Sequence, residues 1–377
     1  MQFALSNKLV SIENGRPVDH DAAISIVSRY MQVTNYYVRE DSSLEFSVKD
    51  SRNMKEDFQR VLDGLKSYEM IATLRKNGDA LTVVVGNIPV HKSRLRSWMP
   101  LVLFAATVGI VFYDGFLRSQ TMSGQAYIKD PWDMAMIYTL SLMGILGIHE
   151  LGHIIAAKKY KVKATWPFFI PGIPGFSISP PTFGAVIFSR GHMPNRDILF
   201  DIGIAGPIAG LIITMLVSVY GAMLSPLIPA EQANVLMGQS QLIKINPSVL
   251  MLGSYFLAGK MVEGFVPLMS PIAFAAWIGF LITFLNLLPA WQLDGGHIAR
   301  AAIGQKWHRR TTFMSIIALA GLGYIVMALL IMMMSARAPD VKPLDDVSPL
   351  SRRRKIIFAV SLFLAFLCAP LPFALNF

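Results

Sequence analysis

Cysteine and charge are both scarce in this chain. Cys368 is the one cysteine in 377 residues, which excludes an intrachain disulfide framework and any cysteine-based zinc site. A metal bound here would have to rely on histidine and carboxylate ligands. Charged residues make up 15% of the chain against 53% hydrophobic, well below the roughly one-quarter charged that soluble domains show. The composition is that of an integral membrane protein. Acids are scarcer than bases, 24 against 34, leaving a net charge of +10. The bases gather in short runs beside apolar spans, where they act as topology and headgroup anchors, so nucleic acid is not expected as a partner. The opening residues have neither the basic and apolar regions of a signal peptide nor the Arg/Ser-rich bias of a transit peptide. The chain is therefore expected to start in the cytosol.

What is present changes character near residue 90. Residues 1–90 read as a small soluble α+β domain. Met54, Phe58, Val61, Leu62 and Leu65 recur at helical spacing after a capping Ser51 or Asn53, giving one buried helix face. The pattern then alternates around Asn77-Gly78, the signature of a β-hairpin. A helix near 20–37 and a strand near 43–49 complete a βαββ-like unit without a catalytic constellation.

Residues 98–377 read as a polytopic membrane domain with its core at 134–306. Apolar runs at about 98–117, 134–157, 198–224, 268–289, 311–335 and 355–375 are long enough to cross about 30 Å of hydrocarbon. The expected fold is thus α-helical with about six transmembrane helices. Residues 247–258 are too short to span and read as interfacial or re-entrant. Lys92, Arg94 and Arg96, then Lys158, Lys159, Lys161 and Lys163, then Arg300, Lys306, Arg309 and Arg310 mark cytosolic ends. Strict alternation of six spans then leaves Arg352, Arg353, Arg354 and Lys355 on the outer side, against the same rule.

Between the second and third spans lies TWPFFIPGIPGFSISPPTFGAVIFSRG, 165–191. Its prolines and glycines exclude a continuous helix, while its apolar content argues against a solvated linker. It reads as a re-entrant, β-like insertion lying against protein or a water-filled cavity; the alternative is a Pro-rich surface loop.

The apolar run 144–157 contains IHELGH. His149 and His153, four residues apart, share one helix face, with Glu150 beside them in an HExxH pattern. That geometry offers two imidazoles to one metal and a carboxylate next to it. Two buried histidines satisfied by carbonyls are the structural alternative, but an intramembrane glutamate costs at least about 2–3 kcal/mol unless used or paired. A catalytic zinc takes three protein ligands. Asp294, in NLLPAWQLDGGHIAR, is the best-matched acid in depth, with Gly295 and Gly296 allowing close backbone approach. Asp201 enters a Gly-rich helix and reads as a cap or ion-pair partner, and Glu263 falls near the opposite face.

HELGH at 149–153, PTFGAVIFSR, MPNRDILFDIGIAGPIAG, and LNLLPAWQLDGGHIA at 285–299 resemble the site-2 protease family of intramembrane zinc metalloproteases. The likeness covers most of 134–306, is nearest to the prokaryotic and plastid branch, and comes without an apparent PDZ-like insertion. It implies one Zn2+ per chain on His149, His153 and Asp294, with Glu150 as base and Asn286 near the substrate carbonyl. The implied substrate is a transmembrane helix of another membrane protein, cut within the lipid bilayer, with the site on the cytosolic side of a prokaryotic cell membrane. Asn286 has the alternative role of joining helices. His297 either supports Asp294 or reaches toward water. A helical substrate must unwind before attack, and Gly184, Ala185, Val186, Ile187, Phe188 and Ser189 have the strand-like composition to pair with the extended segment. A transporter or ion-pathway protein is the rival class, since intramembrane His and acids also mark ion paths, although no inverted repeat is evident.

Overall fold

The computed structural model describes residues 18–88, 98–124, 130–175, 180–187, 192–238, 244–337 and 342–371. Lys92, Arg94 and Arg96 lie outside them, as do Phe188 and Ser189.

In the N-terminal module, Asp19 caps helix α1, His20–Tyr30, by accepting from the Ala22 amide at 3.0 Å. The helix expected over 20–37 stops there. Residues 33–38, VTNYYV, are β-branched and aromatic, a composition that fits a pleated surface better than a helix, and they form β1, Val33–Val38. Strand β2, Leu44–Val48, precedes helix α2, Met54–Leu65, whose Met54, Phe58, Val61, Leu62 and Leu65 are the buried face read from the sequence. β3, Met70–Asn77, and β4, Ala80–Asn87, form the hairpin, with Gly78 at φ +61° in its turn. The antiparallel sheet runs β1-β2-β4-β3.

The remainder is mostly helical. α3, Met99–Gly124, α4, Pro131–Lys159, and α5, Arg196–Met223, contain apolar stretches long enough to cross a membrane. Strands β5, Phe168–Pro171, and β6, Thr182–Val186, pair antiparallel between α4 and α5, so the Pro/Gly-rich insertion does contain a hairpin. After α5 come β7, Leu227–Pro229, α6, Ala230–Gly238, α7, Val249–Leu257, and β8, Phe265–Pro267, which pairs with β7. α8, Pro271–Leu287, has 17 residues and is buried along nearly its whole length, as a helix that is apolar all round must be. It is the centre of the core, packed by α3, α4 and α5.

The C-terminal part departs from six simple spans. α9, Asp294–Gly321, is broken at Gly304, whose φ of 76° and ψ of 174° suit glycine alone. A straight helix would carry His308 about 21 Å from Asp294, yet its Nε2 lies 3.0 Å from the Trp291 carbonyl oxygen. The second half of α9 therefore folds back on the loop before Asp294. The run expected as one span over 311–335 is divided by Gly323, at φ +88°, and α10, Ile325–Arg337, packs back on α9 as a helical hairpin. Soon after it, Asp346 bonds Arg300 in the first half of α9, Nη2 to Oδ2 at 2.7 Å. The chain enters and leaves this hairpin at one end of the molecule.

The basic run opening α11, Arg352–Cys368, accordingly sits at that same end. Arg354 reaches Asp201 at 2.7 and 2.6 Å and Asp197 at 3.1 Å, at the start of α5. This corrects the placement of Arg352–Lys355 at the opposite end of the molecule: the fifth apolar run folds back at Gly323 and returns the chain to the end where α5 starts. The N-terminal module docks here too. Lys55 Nζ is 2.7 Å from Asp197 Oδ2, and residues 343–346 lie along β3, with the Leu74 amide donating to Leu344 O at 2.8 Å and Arg75 Nη1 to Pro343 O at 2.9 Å.

Candidate metal centre

His149 and His153 project from the last third of α4 toward Asp294, the first residue of α9. His149 Nε2 is 3.2 Å from Asp294 Oδ2, His153 Nε2 is 3.3 Å from the same oxygen, and the two Nε2 atoms are 3.2 Å apart. Atoms bonded at about 2.0 Å to a tetrahedral ion are separated by about 3.3 Å. The three donor atoms thus stand at the corners of one face of such a tetrahedron, and the donor set fits zinc. His153 Nδ1 donates to Ile202 O at 2.8 Å, which fixes the tautomer and leaves the Nε2 lone pair directed at the site.

Helix α5 makes room for this arrangement. A methyl group on Gly206 would come within 2.1 Å of His153 Nε2, so only a glycine lets α5 approach closely enough for Ile202 to reach the ring. The stripe GIAGPIAG gave a signal for close packing; its service to His153 came only from the geometry.

Glu150 is buried at 7% exposure on the same turn as His149, and among the described residues its carboxylate accepts no hydrogen bond. Asn286, near the end of α8, brings Nδ2 to 3.3 Å from His149 Nε2. Three segments thus converge: the HExxH turn of α4, the end of α8 and the start of α9. Asp201 lies elsewhere, engaged by Arg354 and by the Tyr160 hydroxyl. Glu263 is exposed in the turn before β8. His297 is half-buried one turn into α9.

The Asp294 loop is held from outside as well. Trp291 adopts φ +46°, uncommon for a bulky residue. Its amide donates to Thr312 Oγ1 at 3.0 Å, and its carbonyl oxygen lies 3.0 Å from His308 Nε2. Both partners come from the folded-back half of α9. No sequence pattern pairs residues this way, because the contact depends on the break at Gly304.

The β5–β6 hairpin is tied to α3 by a buried carboxylate. Asp114 accepts from Arg118 Nε at 2.7 Å, from the Tyr138 hydroxyl at 2.8 Å and from the Gly175 amide at 3.0 Å. Of the predicted run 184–189, Gly184, Ala185 and Val186 belong to β6 and Ile187 lies just past it. Gly184 takes φ +84°, and the register shifts between Phe169 and Pro171, so the strand carries a bulge. β5 occupies one edge of β6, and among the described residues no strand occupies the other.

A helical membrane core carrying a two-histidine, one-aspartate centre with a neighbouring glutamate has the ligand set and helix placement of an HExxH-type metal site within a membrane protein. The chain belongs to Peptidase family M50, whose model matches residues 137–333. It is 31% identical to "Probable zinc metalloprotease EGY1, chloroplastic" of Arabidopsis thaliana, over 71% of this chain and 52% of that protein. It is 33% identical to the protein of the same name from Oryza sativa subsp. japonica, over 59% and 39%, and 29% identical to the Arabidopsis "Probable zinc metalloprotease EGY2, chloroplastic", over 66% and 43%. The chain spans about half the length of these relatives or less. Their chloroplastic names agree with the plastid-like wording of the motifs and give no support to a prokaryotic cell membrane or a cytosolic face. No solved structure matches.

Proposed function

We propose that the chain is a membrane-embedded zinc metalloendopeptidase that hydrolyses peptide bonds in or near transmembrane segments of other membrane proteins. The observation that carries this reading is the 3.2–3.3 Å triangle of His149, His153 and Asp294 beside Glu150, whose carboxylate accepts no hydrogen bond among the described residues. Family membership and the zinc metalloprotease names of the relatives support it.

His149, His153 and Asp294 would hold the zinc ion, which would supply Lewis acidity for activating water at neutral pH. Glu150 takes the proton from the attacking water and returns it to the departing amine. Asn286, with its amide nitrogen beside the ligand atoms, donates a hydrogen bond to the carbonyl oxygen as negative charge develops. A substrate helix keeps its carbonyls bonded to amides four residues on, so the scissile stretch unwinds and its backbone pairs with the free edge of β6. The docked N-terminal module has no catalytic set and regulates or recruits substrate. On this reading the metal end of the molecule faces the compartment holding that module.

Glu150→Gln is the test. The amide cannot accept the proton, so zinc content and thermal unfolding are expected to stay at wild-type levels while cleavage of a membrane-protein panel falls at least about 10²-fold. Near-normal turnover would reject Glu150 as the base.

A further inference from the structure

The two basic runs that the sequence places almost two hundred residues apart meet at Asp201. Tyr160, just past α4, donates its hydroxyl to Asp201, and Arg354 in the first turn of α11 bonds both of its oxygens. Around Tyr160 stand Lys158, Lys159, Lys161 and Lys163, all exposed. Around Arg354 stand Arg352, Arg353 and Lys355, also exposed. The acids at this junction, Asp197 and Asp201, are already engaged by Lys55, Arg354 and Tyr160. Lys159 also acts on Asp201, while Lys158, Lys161, Lys163, Arg352, Arg353 and Lys355 make no ion pair among the described residues.

The apolar side chains beneath them show what such a surface faces. On α4, Ile155 and Leu151 lie one and two turns below Lys158 and Lys159 on the same helix face, with Ile155 61% exposed. On α11, Ile356, Ile357 and Val360 follow Arg353 at the same spacing, with Ile356 66% exposed. Trp166, 75% exposed, stands beside the lysines. Exposed aliphatics, then an aromatic, then a band of cations is the layering of a bilayer interface. An acidic soluble peptide would meet the cations but leave the aliphatics in water.

We propose that the surface joined across Asp201 binds anionic phospholipid headgroups at the metal-centre end of the molecule. Cation clusters of this size beside a span attract anionic lipid strongly, over a distance set by the Debye length. The structural claim is that the two runs act as one surface held together by the Asp201 clasp.

The full chain in nanodiscs, probed by electron paramagnetic resonance with spin-labelled phosphatidylglycerol against spin-labelled phosphatidylcholine, tests it. Wild type is expected to prefer phosphatidylglycerol at least about threefold at low salt, and the preference should fade in about 0.5 M NaCl. It should drop at least about twofold in K158Q/K159Q/K161Q/K163Q and likewise in R352Q/R353Q/K355Q; unfolding midpoints near wild type would confirm that these exposed replacements leave the fold intact. Asp201→Asn is the discriminating variant. It adds net positive charge, so charge counting alone raises the preference, whereas loss of the clasp lowers it. A rise in Asp201→Asn, equal retention of both lipids by wild type, or an unchanged preference in both cation sets would overturn the proposal. So would an acidic peptide such as poly-glutamate binding the patch while phosphatidylglycerol shows no preference.

Discussion

His153 depends on a carbonyl and on an absent side chain. Ile202 O orients its ring from 2.8 Å, and that carbonyl arrives only because Gly206 lets α5 close on α4. Gly206→Ala places a methyl 2.1 Å from His153 Nε2, and the ring end of a helix-bound histidine cannot move away without leaving the site. The variant is expected to lower zinc affinity at least about tenfold, the usual order for a damaged ligand support, while the N-terminal module keeps its fold. Competition titration with a zinc chelator measures the first, and amide exchange over 18–88 the second. The clustering of His149, His153 and Asp294 was legible in the sequence, because HExxH sets two of them on one helix face and the depth of Asp294 suggests the third. Ile202 and Trp291 were not, because each acts through a backbone atom, and backbone atoms are common to every residue.

Among the elements, the β5–β6 hairpin illustrates both the reach and the limit of reading the sequence. Its β composition and Pro/Gly content predicted a non-helical insertion with a strand at its end, and the structure has one. The bulge at Gly184 and the tether from Gly175 to Asp114 were invisible, since Asp114 lies sixty-one residues away on α3. Helix α1 and the α9–α10 hairpin show the opposite error. The helix expected over 20–37 and the span expected over 311–335 both ran past a residue whose backbone ends the helix, Met31 in the first and Gly323 in the second. If the tether positions the insertion for substrate pairing, Asp114→Asn should leave zinc content unchanged while slowing cleavage of a helical transmembrane substrate several-fold. Removing one partner of a buried ion pair is costly, so Asp114→Asn combined with Arg118→Gln serves as the charge-balanced control for folding. Equal rates for wild type and both variants would show that the hairpin needs no tether.

At the scale of the whole molecule, the module and the membrane core are joined by residues 343–346, by the Lys55–Asp197 ion pair and by an ionic cluster around Asp346. Arg300 is 1% exposed and Asp346 pairs with it and with Arg196. Burial pushes the Asp346 carboxyl up, but hydrogen bonds from Arg300 and the charges of Arg300, Arg196 and Arg75 outweigh it, and the net shift is downward. A carboxyl whose folded value lies below its unfolded value of about 3.9 stabilises the fold above that pH and loses its contribution as pH falls through the folded value. Asp346→Asn should therefore lower the unfolding midpoint at pH 6, and the gap to wild type should shrink as the pH drops below about 4. A gap independent of pH would mean that Asp346 acts through shape and not through charge.

Every catalytic role proposed for this site depends on His149, His153 and Asp294 holding one zinc ion. Metal analysis of the purified full chain measures this directly, comparing wild type with Asp294→Ala and with Glu263→Ala, whose carboxylate is exposed before β8. One zinc per chain in wild type and in Glu263→Ala, with occupancy largely lost in Asp294→Ala, is the predicted result. Full zinc occupancy in Asp294→Ala, or none in wild type, would contradict it.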